Sequence, residues 1–212
     1  MQSLAIVCAD VGSVAKGNFA WWSTEGPVGY LPSELAAHVA ALLNVSMPVA
    51  LGFECPLFVP LADEEMALTS ARPGEGGRPW SAGAGCGALT TGLVQVTWTL
   101  QRIRESLRCT PSAYLSWPRF AKAASGLFLW EAFVSGDAKS EEHARDAQAG
   151  AEAFRDSLPD PPAANAVTCG GPVHSLVGAA LLRTGWTDDI AVLLEPCLVL
   201  RGSSKTSFTA GA

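Results

Sequence analysis

Five short apolar runs, separated by stretches of helical periodicity, constrain the fold of this chain more than any other feature of its sequence. Gly, Pro or Asp bounds each run, as is typical of β-strands. The first two runs follow each other like a hairpin, and the later ones alternate with helices. This order indicates an α/β sheet with a mixed edge. The runs span residues 4–9, 18–23, 48–57, 126–134 and 190–201.

Helical periodicity fills most of the sequence between these runs. Segment 87–108 places apolar side chains at steps of three and four, the pattern of one buried helix face. Segment 140–158 repeats this pattern with alanines, and Ser140 is its expected N-cap. Further helices are predicted to begin at Ser33 and to span residues 173–184.

The composition predicts one domain. The chain has 212 residues, of which 49% are hydrophobic and 16% charged, so it can bury a sizeable core. We expect a single domain over residues 1–202, with a long loop insertion at 59–87 and a flexible tail at 203–212. The loop is rich in Gly, Pro and Ala, and loops of this length are usually functional or disordered.

Charge and cysteine usage restrict the partners and the compartment. A net charge of −6 argues against broad binding to nucleic acid, which needs a basic field, although a local basic groove is compatible with it. The six cysteines form no C-x-x-C pair, which indicates a reduced, cytoplasmic protein without a zinc site. No apolar segment approaches the roughly 20 residues that span a bilayer, so we expect no membrane partner.

Four acidic residues occupy positions where an unpaired charge is unfavourable. Asp10 ends the first run and Glu54 lies in the third. Glu131 interrupts the fourth, and Asp146 lies beside the alanine stripe of segment 140–158. A buried carboxylate must be paired, exposed at a strand end, or bound to a cation. Because Mg²⁺ and Mn²⁺ take carboxylate oxygens, a shared metal site would explain all four acids.

Each acid also has a structural alternative. Asp10 can be an Asx-turn residue, and Glu54 can lie at a sheet edge. Glu131 can pair with an arginine, and Asp146 can lie on a solvated helix face. His143 precedes Asp146 by one helical turn and shares its face, so it can reach the same ion or a substrate phosphate. On its own it is typical of a surface histidine.

The order of the segments CADVGS, GFECPL and HARDAQAGAEAF resembles that of the ribonuclease H-like nuclease superfamily. The last segment is similar to the His-x-x-Asp-Ala segment on the closing helix of some Holliday-junction resolvases. GFECPL and RPWSAGAGCG are similar to stretches of an uncharacterised bacterial family of predicted RNase H-like nucleases. The resemblance covers most of the chain. It implies an RNase H-like fold, a five-stranded mixed sheet with antiparallel early strands, flanked by helices.

The same resemblance implies a site with Mg²⁺ or Mn²⁺ that hydrolyses a phosphodiester of a nucleic acid or nucleotide. Asp10, Glu54 and Asp146 would be the metal ligands, with Glu131 as a fourth acid. His143 would orient or protonate the reacting groups. In this mechanism two metals activate a water and stabilise the leaving oxygen.

Five residues are candidates for contact with the substrate. Arg72, Arg78 and Trp80 lie on the long loop, where they can contact phosphate or stack on a base. Ser13 and Lys16 follow Asp10 in a glycine-containing turn. The alternative for the loop is a Gly- and Ala-rich cover packed over the end of the sheet. The acidic charge favours a small nucleotide or short oligonucleotide over a long duplex.

Two other functions remain compatible with the sequence. The segment DVGSVAKG resembles the first phosphate loop of actin-like sugar kinases and ATPases, in which Lys16 would grip ATP phosphates. Those proteins need two copies of the fold, and this chain has room for one. The other function is a catalytically decayed RNase H-like binding module. Convergence of Asp10, Glu54 and Asp146 in space, together with metal binding, would discriminate between a metal centre and such a module.

Overall fold

Six strands form a central sheet and two form a small second sheet in a computed structural model that describes residues 3–77, 79–123, 125–134 and 139–202. The strands are β1 (Ala5–Asp10), β2 (Ala20–Ser23), β3 (Val49–Phe53), β4 (Phe58–Pro60), β5 (Ala113–Tyr114), β6 (Leu127–Phe133), β7 (Val173–Ser175) and β8 (Leu198–Arg201). The helices are α1 (Pro32–Asn44), α2 (Gly83–Glu105), α3 (Trp117–Phe120), α4 (His143–Ser157) and α5 (Leu176–Arg183).

The central sheet runs in the order β2-β1-β3-β6, and both β5 and β8 pair with β6. Strand β2 is antiparallel to β1, whereas β3, β6, β5 and β8 run parallel to it. The predicted α/β sheet with a mixed edge, flanked by helices, is confirmed. The predicted count of five strands is wrong, because β5 pairs with the start of β6 and β8 with its end, so two short strands share one edge.

The antiparallel part of the sheet is small. It consists of β1 paired with β2, and β2 is extended outward only by an isolated antiparallel bridge between Trp21 and Gly29 in the described part of the chain. Strand β3 follows α1 and is already parallel to β1. The remaining pair, β4 with β7, is antiparallel and forms the second sheet.

Both faces of the central sheet are covered by helices. Alternate residues of β1, β3 and β6 pack with α1, α2 and α5 in one core cluster. The intervening residues of these strands pack with α3 and α4 in a second cluster. Because successive side chains of a strand point to opposite faces, this division assigns each strand residue to one of the two layers. We call these the α2 face and the α4 face.

Several strands and helices begin or end at residues other than those predicted, for reasons that are visible in the local sequence. The run 190–201 is not one strand, since Ile190–Leu194 forms a 3-10 turn that Asp189 caps and only β8 is extended. Helix α1 begins at Pro32, one residue before the predicted cap, as proline favours the first helical position. Segment 173–184 divides into β7 and α5. No helix within the described ranges combines the length and apolarity needed to cross a membrane.

The close approach of β3 to β6 generates a first prediction. A Cβ added to Gly52 would lie 2.4 Å from two indole carbons of Trp130. We expect Gly52→Ala to lower the free energy of unfolding by about 1–3 kcal/mol, because overpacking forces side chains from their rotamers. Gly171→Ala is the control, since its Cβ would meet no described atom within 4 Å. Equal urea midpoints for the two variants would contradict the prediction.

The half-buried His38 generates a second prediction. Burial lowers the pKa of His38 from 6.5, and the nearby Glu25 only partly opposes this; the Nε2 atom lies 2.9 Å from Ser23 Oγ. The unfolded chain therefore takes up the proton on His38 more readily, so the contribution of His38 to the free energy of unfolding should fall as the pH drops below about 6.5. His38→Gln should flatten this slope in urea titrations between pH 7 and 5. An equally steep slope for His38→Gln and the wild type would contradict the prediction.

Candidate metal centre

Two parallel strands deliver carboxylates to the same edge of the sheet. Asp10 is the last residue of β1, and Glu54 directly follows β3. Ala9 pairs with Phe53, and the Glu54 N–H donates to the Ala9 carbonyl at 2.8 Å. Residues 6, 8 and 50 lie in the core cluster of the α4 face. By strand alternation, Asp10 and Glu54 follow them onto that face.

Helix α4 brings the other two predicted residues above this edge. It packs closely on β1 because its buried surface includes the small residues Ala147, Gly150 and Ala151. A Cβ on Gly150 would lie 2.8 Å from Cys8 Sγ. This approach places His143 and Asp146, both in the first turn of α4, next to Asp10.

Asp10, His143 and Asp146 form a compact group. Each offers one ligand atom, and these atoms lie within 4.8 Å of one another. His143 Nδ1 and Asp10 Oδ2 are 2.5 Å apart. A carboxylate only accepts, so Nδ1 donates in this bond and Nε2 is left for proton transfer. Asp146 is 1% exposed, and its Oδ1 accepts the Ser140 N–H at 2.6 Å.

Lys139 joins the carboxylates into one cluster. Its Nζ lies 2.9 Å from Glu54 Oε1 and 3.0 Å from Asp146 Oδ2. The distance to Asp10 Oδ1 is 3.9 Å. The three predicted ligands, Asp10, Glu54 and Asp146, therefore converge around the ammonium group of Lys139. We call Asp10, Glu54, Asp146, His143 and Lys139 the acidic cluster.

Two oxygens of the acidic cluster lack hydrogen bonds. Glu54 Oε2 and Asp146 Oδ2 are buried, and neither accepts a hydrogen bond from a described residue. Buried carboxylate oxygens normally have donors or a cation. Among the described residues, Asp146 Oδ2 has the Lys139 ammonium as its ionic neighbour and Glu54 Oε2 has no hydrogen-bond donor.

Burial and like charge perturb the groups around this centre. Burial raises the pKa of Glu54 well above its usual range, and the charge of Asp10 adds to this, while Lys139 opposes it. Burial would lower the pKa of Lys139, but Glu54 and Asp10 outweigh it and raise that pKa. The ammonium thus stays charged in the cluster.

Glu131 lies on the opposite face of the sheet. Its partner in the register is Phe53, which belongs to the core cluster of the α2 face. Arg72 of the long loop binds it there with two bonds, Nη1 to Oε2 at 2.9 Å and Nη2 to Oε1 at 2.6 Å. Burial raises the pKa of Glu131, although Arg72 opposes this. The structure thus gives Glu131 the arginine partner that was its structural alternative and does not bring it into the acidic cluster.

The same arginine organises the long loop. Arg72 is 1% exposed, and its Nε donates to Glu75 Oε1 at 2.9 Å. The Trp80 N–H donates to the same Glu75 oxygen at 3.2 Å, and the Trp80 indole N–H donates to the Ser70 carbonyl at 2.9 Å. The guanidinium of Arg72 and the indole N–H of Trp80 are therefore engaged within the protein. Arg78 lies outside the described residues.

A cleft of about 270 Å³ opens beside the acidic cluster. Its lining includes Asp10, Glu54, Lys139 and His143 of the acidic cluster, and also Glu75 and Glu131, the two partners of Arg72. Small residues from the first turns of α2 line it as well: Ala84, Gly85, Gly87, Ala88 and Thr91. The turn after β1 contributes Gly12 and Asn18 to the wall, whereas Ser13 and Lys16 of that turn are exposed to solvent.

Sequence reasoning missed two residues of this region and gave a third, Ser140, a different role. Lys139 stands alone in a polar segment, and no spacing distinguishes it from a surface lysine. Glu75 lies in a glycine-rich stretch that gives no periodicity. Ser140 was expected to cap α4 by its side chain, but α4 begins at His143 and the Ser140 backbone N–H binds Asp146 instead.

Comparisons of the chain with protein-family models, with curated proteins and with solved structures found no match. The geometry of the acidic cluster and its cleft therefore carries the functional argument.

The pair between Arg72 and Glu131 generates a third prediction. Arg72→Met leaves a buried carboxylate without its partner, so we expect a loss of about 3–5 kcal/mol in the free energy of unfolding. Arg72→Met with Glu131→Gln should recover part of this loss, because the remaining amide is neutral. Arg102→Met is the control, since its pair with Glu105 is solvent-exposed and such pairs contribute little to stability. Similar losses in urea unfolding for Arg72→Met and Arg102→Met would contradict the prediction.

Proposed function

We propose that this chain is a metal-dependent phosphodiesterase of RNase H-like type, acting on a phosphodiester of a nucleic acid or nucleotide. One observation carries the proposal. Carboxylates from β1, from the end of β3 and from α4 converge on a single cation position, now held by Lys139 Nζ at 2.9 to 3.9 Å. Three acids distant in sequence are seldom gathered at a strand end for stability alone, because their mutual repulsion destabilises the fold.

The donor set fits Mg²⁺ or Mn²⁺. Carboxylate oxygens are the ligands that these hard cations prefer, and Glu54 Oε2 and Asp146 Oδ2 are buried without a hydrogen bond from any described residue. Asp10, Glu54 and Asp146 would hold the ion. When bound, it would supply an activated water and stabilise charge on the leaving oxygen.

His143 is the proposed proton-transfer group. Its Nδ1 is fixed by Asp10, an arrangement that sets the tautomer and orients the ring. The side chain lines the cleft and is 35% exposed, so Nε2 can exchange a proton with a water or a leaving oxygen there. A carboxylate that orients a histidine in this way leaves the other ring nitrogen for chemistry.

The cleft favours a small substrate. Its volume of about 270 Å³ is below the range of most drug-sized ligand pockets, and the net charge of −6 is unfavourable for a long polyanion. We therefore propose a nucleotide or an oligonucleotide end. Ser13 and Lys16, exposed beside the cleft wall, remain candidates for phosphate contact, as does Trp80 for stacking.

The chain order of the acids and the antiparallel β1–β2 pair beside parallel β3 and β6 support the RNase H-like assignment.

We also propose a cytoplasmic, reducing location. All six cysteines are free, and Cys8, Cys55 and Cys197 are buried in the core, where burial raises the pKa of each thiol and so disfavours its thiolate.

A binding module without catalysis is the second candidate, and Lys139 favours it. Its ammonium already compensates part of the charge of the acidic cluster, so the fold does not require a metal there. The two candidates differ in their response to divalent ions.

Asp10→Asn is the decisive substitution. Mn²⁺ at about 100 times its Kd should add about 2.7 kcal/mol to the free energy of unfolding of the wild type. For a chain of this size, that raises the Tm by about 5–10 °C. Asp10→Asn should abolish the shift and lower Mn²⁺-dependent hydrolysis of bis-p-nitrophenyl phosphate and of short oligonucleotides by more than about 100-fold, since even outer-shell substitutions cost 10–100-fold.

Asp156→Asn is the matched control, because Asp156 lies exposed on the same helix as Asp146 and carries the same charge. It should keep both the Tm shift and the hydrolysis. A wild type that shows neither response to Mn²⁺ or Mg²⁺, with these substrates present or absent, would reject the phosphodiesterase in favour of the binding module.

A further inference from the structure

Lys139 holds the position that a cation would take in the acidic cluster. Its Nζ contacts Glu54 Oε1 at 2.9 Å and Asp146 Oδ2 at 3.0 Å, with Asp10 Oδ1 at 3.9 Å. Within the described ranges, no other lysine or arginine forms an ion pair with these three acids. One ammonium is therefore the cluster's cationic partner, apart from His143.

The two oxygens of Asp146 show why a metal and this ammonium compete. Oδ1 accepts the Ser140 N–H at 2.6 Å, so Oδ2 is the oxygen that remains for a cation. Oδ2 is buried and accepts no hydrogen bond from a described residue, and the Lys139 ammonium is its ionic neighbour. Two cations on one buried oxygen repel each other strongly, since little water screens them.

We propose that Lys139 is a built-in counter-ion that a divalent metal must displace, so that this lysine sets the metal affinity of the centre. The inference rests on the proposed function, because it takes the acidic cluster as the metal site. The side chain suits exchange. It is a flexible four-carbon stem that is 36% exposed, so its ammonium can leave the cluster for the cleft, which Lys139 lines.

The effect of Lys139 on metal affinity is linked to its effect on the stability of the metal-free protein. An ammonium that weakens metal binding also stabilises the metal-free protein, because it compensates carboxylates that would otherwise repel one another. Removing the charge should therefore have two opposite effects. The metal-free protein should become less stable, and the metal should bind more tightly.

Lys139→Met tests this directly, since it keeps the apolar stem and removes the charge. We expect the affinity for Mn²⁺, measured by calorimetric titration without substrate, to rise by at least about 10-fold, within the usual range of coupling between sites. The metal-free Tm should fall below that of the wild type. Lys139→Arg should stay near the wild-type affinity. Lys122→Met, which removes an exposed lysine after α3, is the control for net charge.

A measurement on the wild type keeps the inference testable if Lys139→Met does not fold. Acetylation of Lys139 by a water-soluble reagent, read by mass spectrometry, should become several-fold faster with saturating Mn²⁺, while Lys122 is unchanged. The displaced amine is then no longer held between Glu54 and Asp146.

The outcomes separate the two proposals. If the wild type binds Mn²⁺ but Lys139→Met binds it no more tightly, and Lys139 is acetylated no faster with metal, the counter-ion inference is wrong and the metal centre stands. If Lys139→Met alone binds Mn²⁺, the lysine blocks the site and the inference holds. If neither binds Mn²⁺, both proposals fail.

Discussion

The bidentate pair between Arg72 and Glu131 is the interaction on which the rest of the structure depends. It joins the long loop to β6, the strand that contacts β3, β5 and β8. Through Glu75 the same guanidinium holds the segment that leads into α2, and α2 forms one wall of the cleft. The loop is therefore a covered part of the core at this point, and the cleft exists because the loop is held over the sheet edge.

The register of the sheet separates two groups of acids that look alike in sequence. Phe53 pairs with Glu131, and Ala9 pairs with Phe53, so Glu131 faces the α2 layer together with Ala9. Asp10 and Glu54 are each one residue further along and face α4. A shift of one residue in either pairing would move a carboxylate to the other face. The proposed metal site and the anchor of the long loop thus lie on opposite faces of neighbouring strands.

Sequence periodicity was sufficient to predict most of the strands and helices that form the layers, but not the register in which the strands pair. The apolar runs predicted β1, β2, β3 and β6, because each is bounded by turn residues. The spacing of His143 and Asp146 predicted their shared helix face. The register between β3 and β6 has no local signal, so Glu131 could not be assigned to either acidic group. The partners of the acids could not be found either, since Arg72 and Lys139 come from irregular segments whose paths depend on tertiary contacts.

Hydrogen-bond satisfaction distinguishes the acids that serve the fold from those that are candidates for function. Both oxygens of Glu131 and both of Glu75 accept hydrogen bonds, from Arg72, Leu57 and Trp80. In the acidic cluster, Glu54 Oε2 and Asp146 Oδ2 accept none from the described residues, although both atoms are buried.

A fully satisfied buried network adds rigidity, whereas a partly satisfied one lowers stability. Three carboxylates share one ammonium in the acidic cluster, while two share one guanidinium in the Arg72 network. The acidic cluster thus has more carboxyl groups for each lysine or arginine than the Arg72 network has. An apolar residue at the end of β1 would avoid that cost, so the carboxylate of Asp10 does not serve the stability of the sheet and is instead consistent with the cation site proposed above.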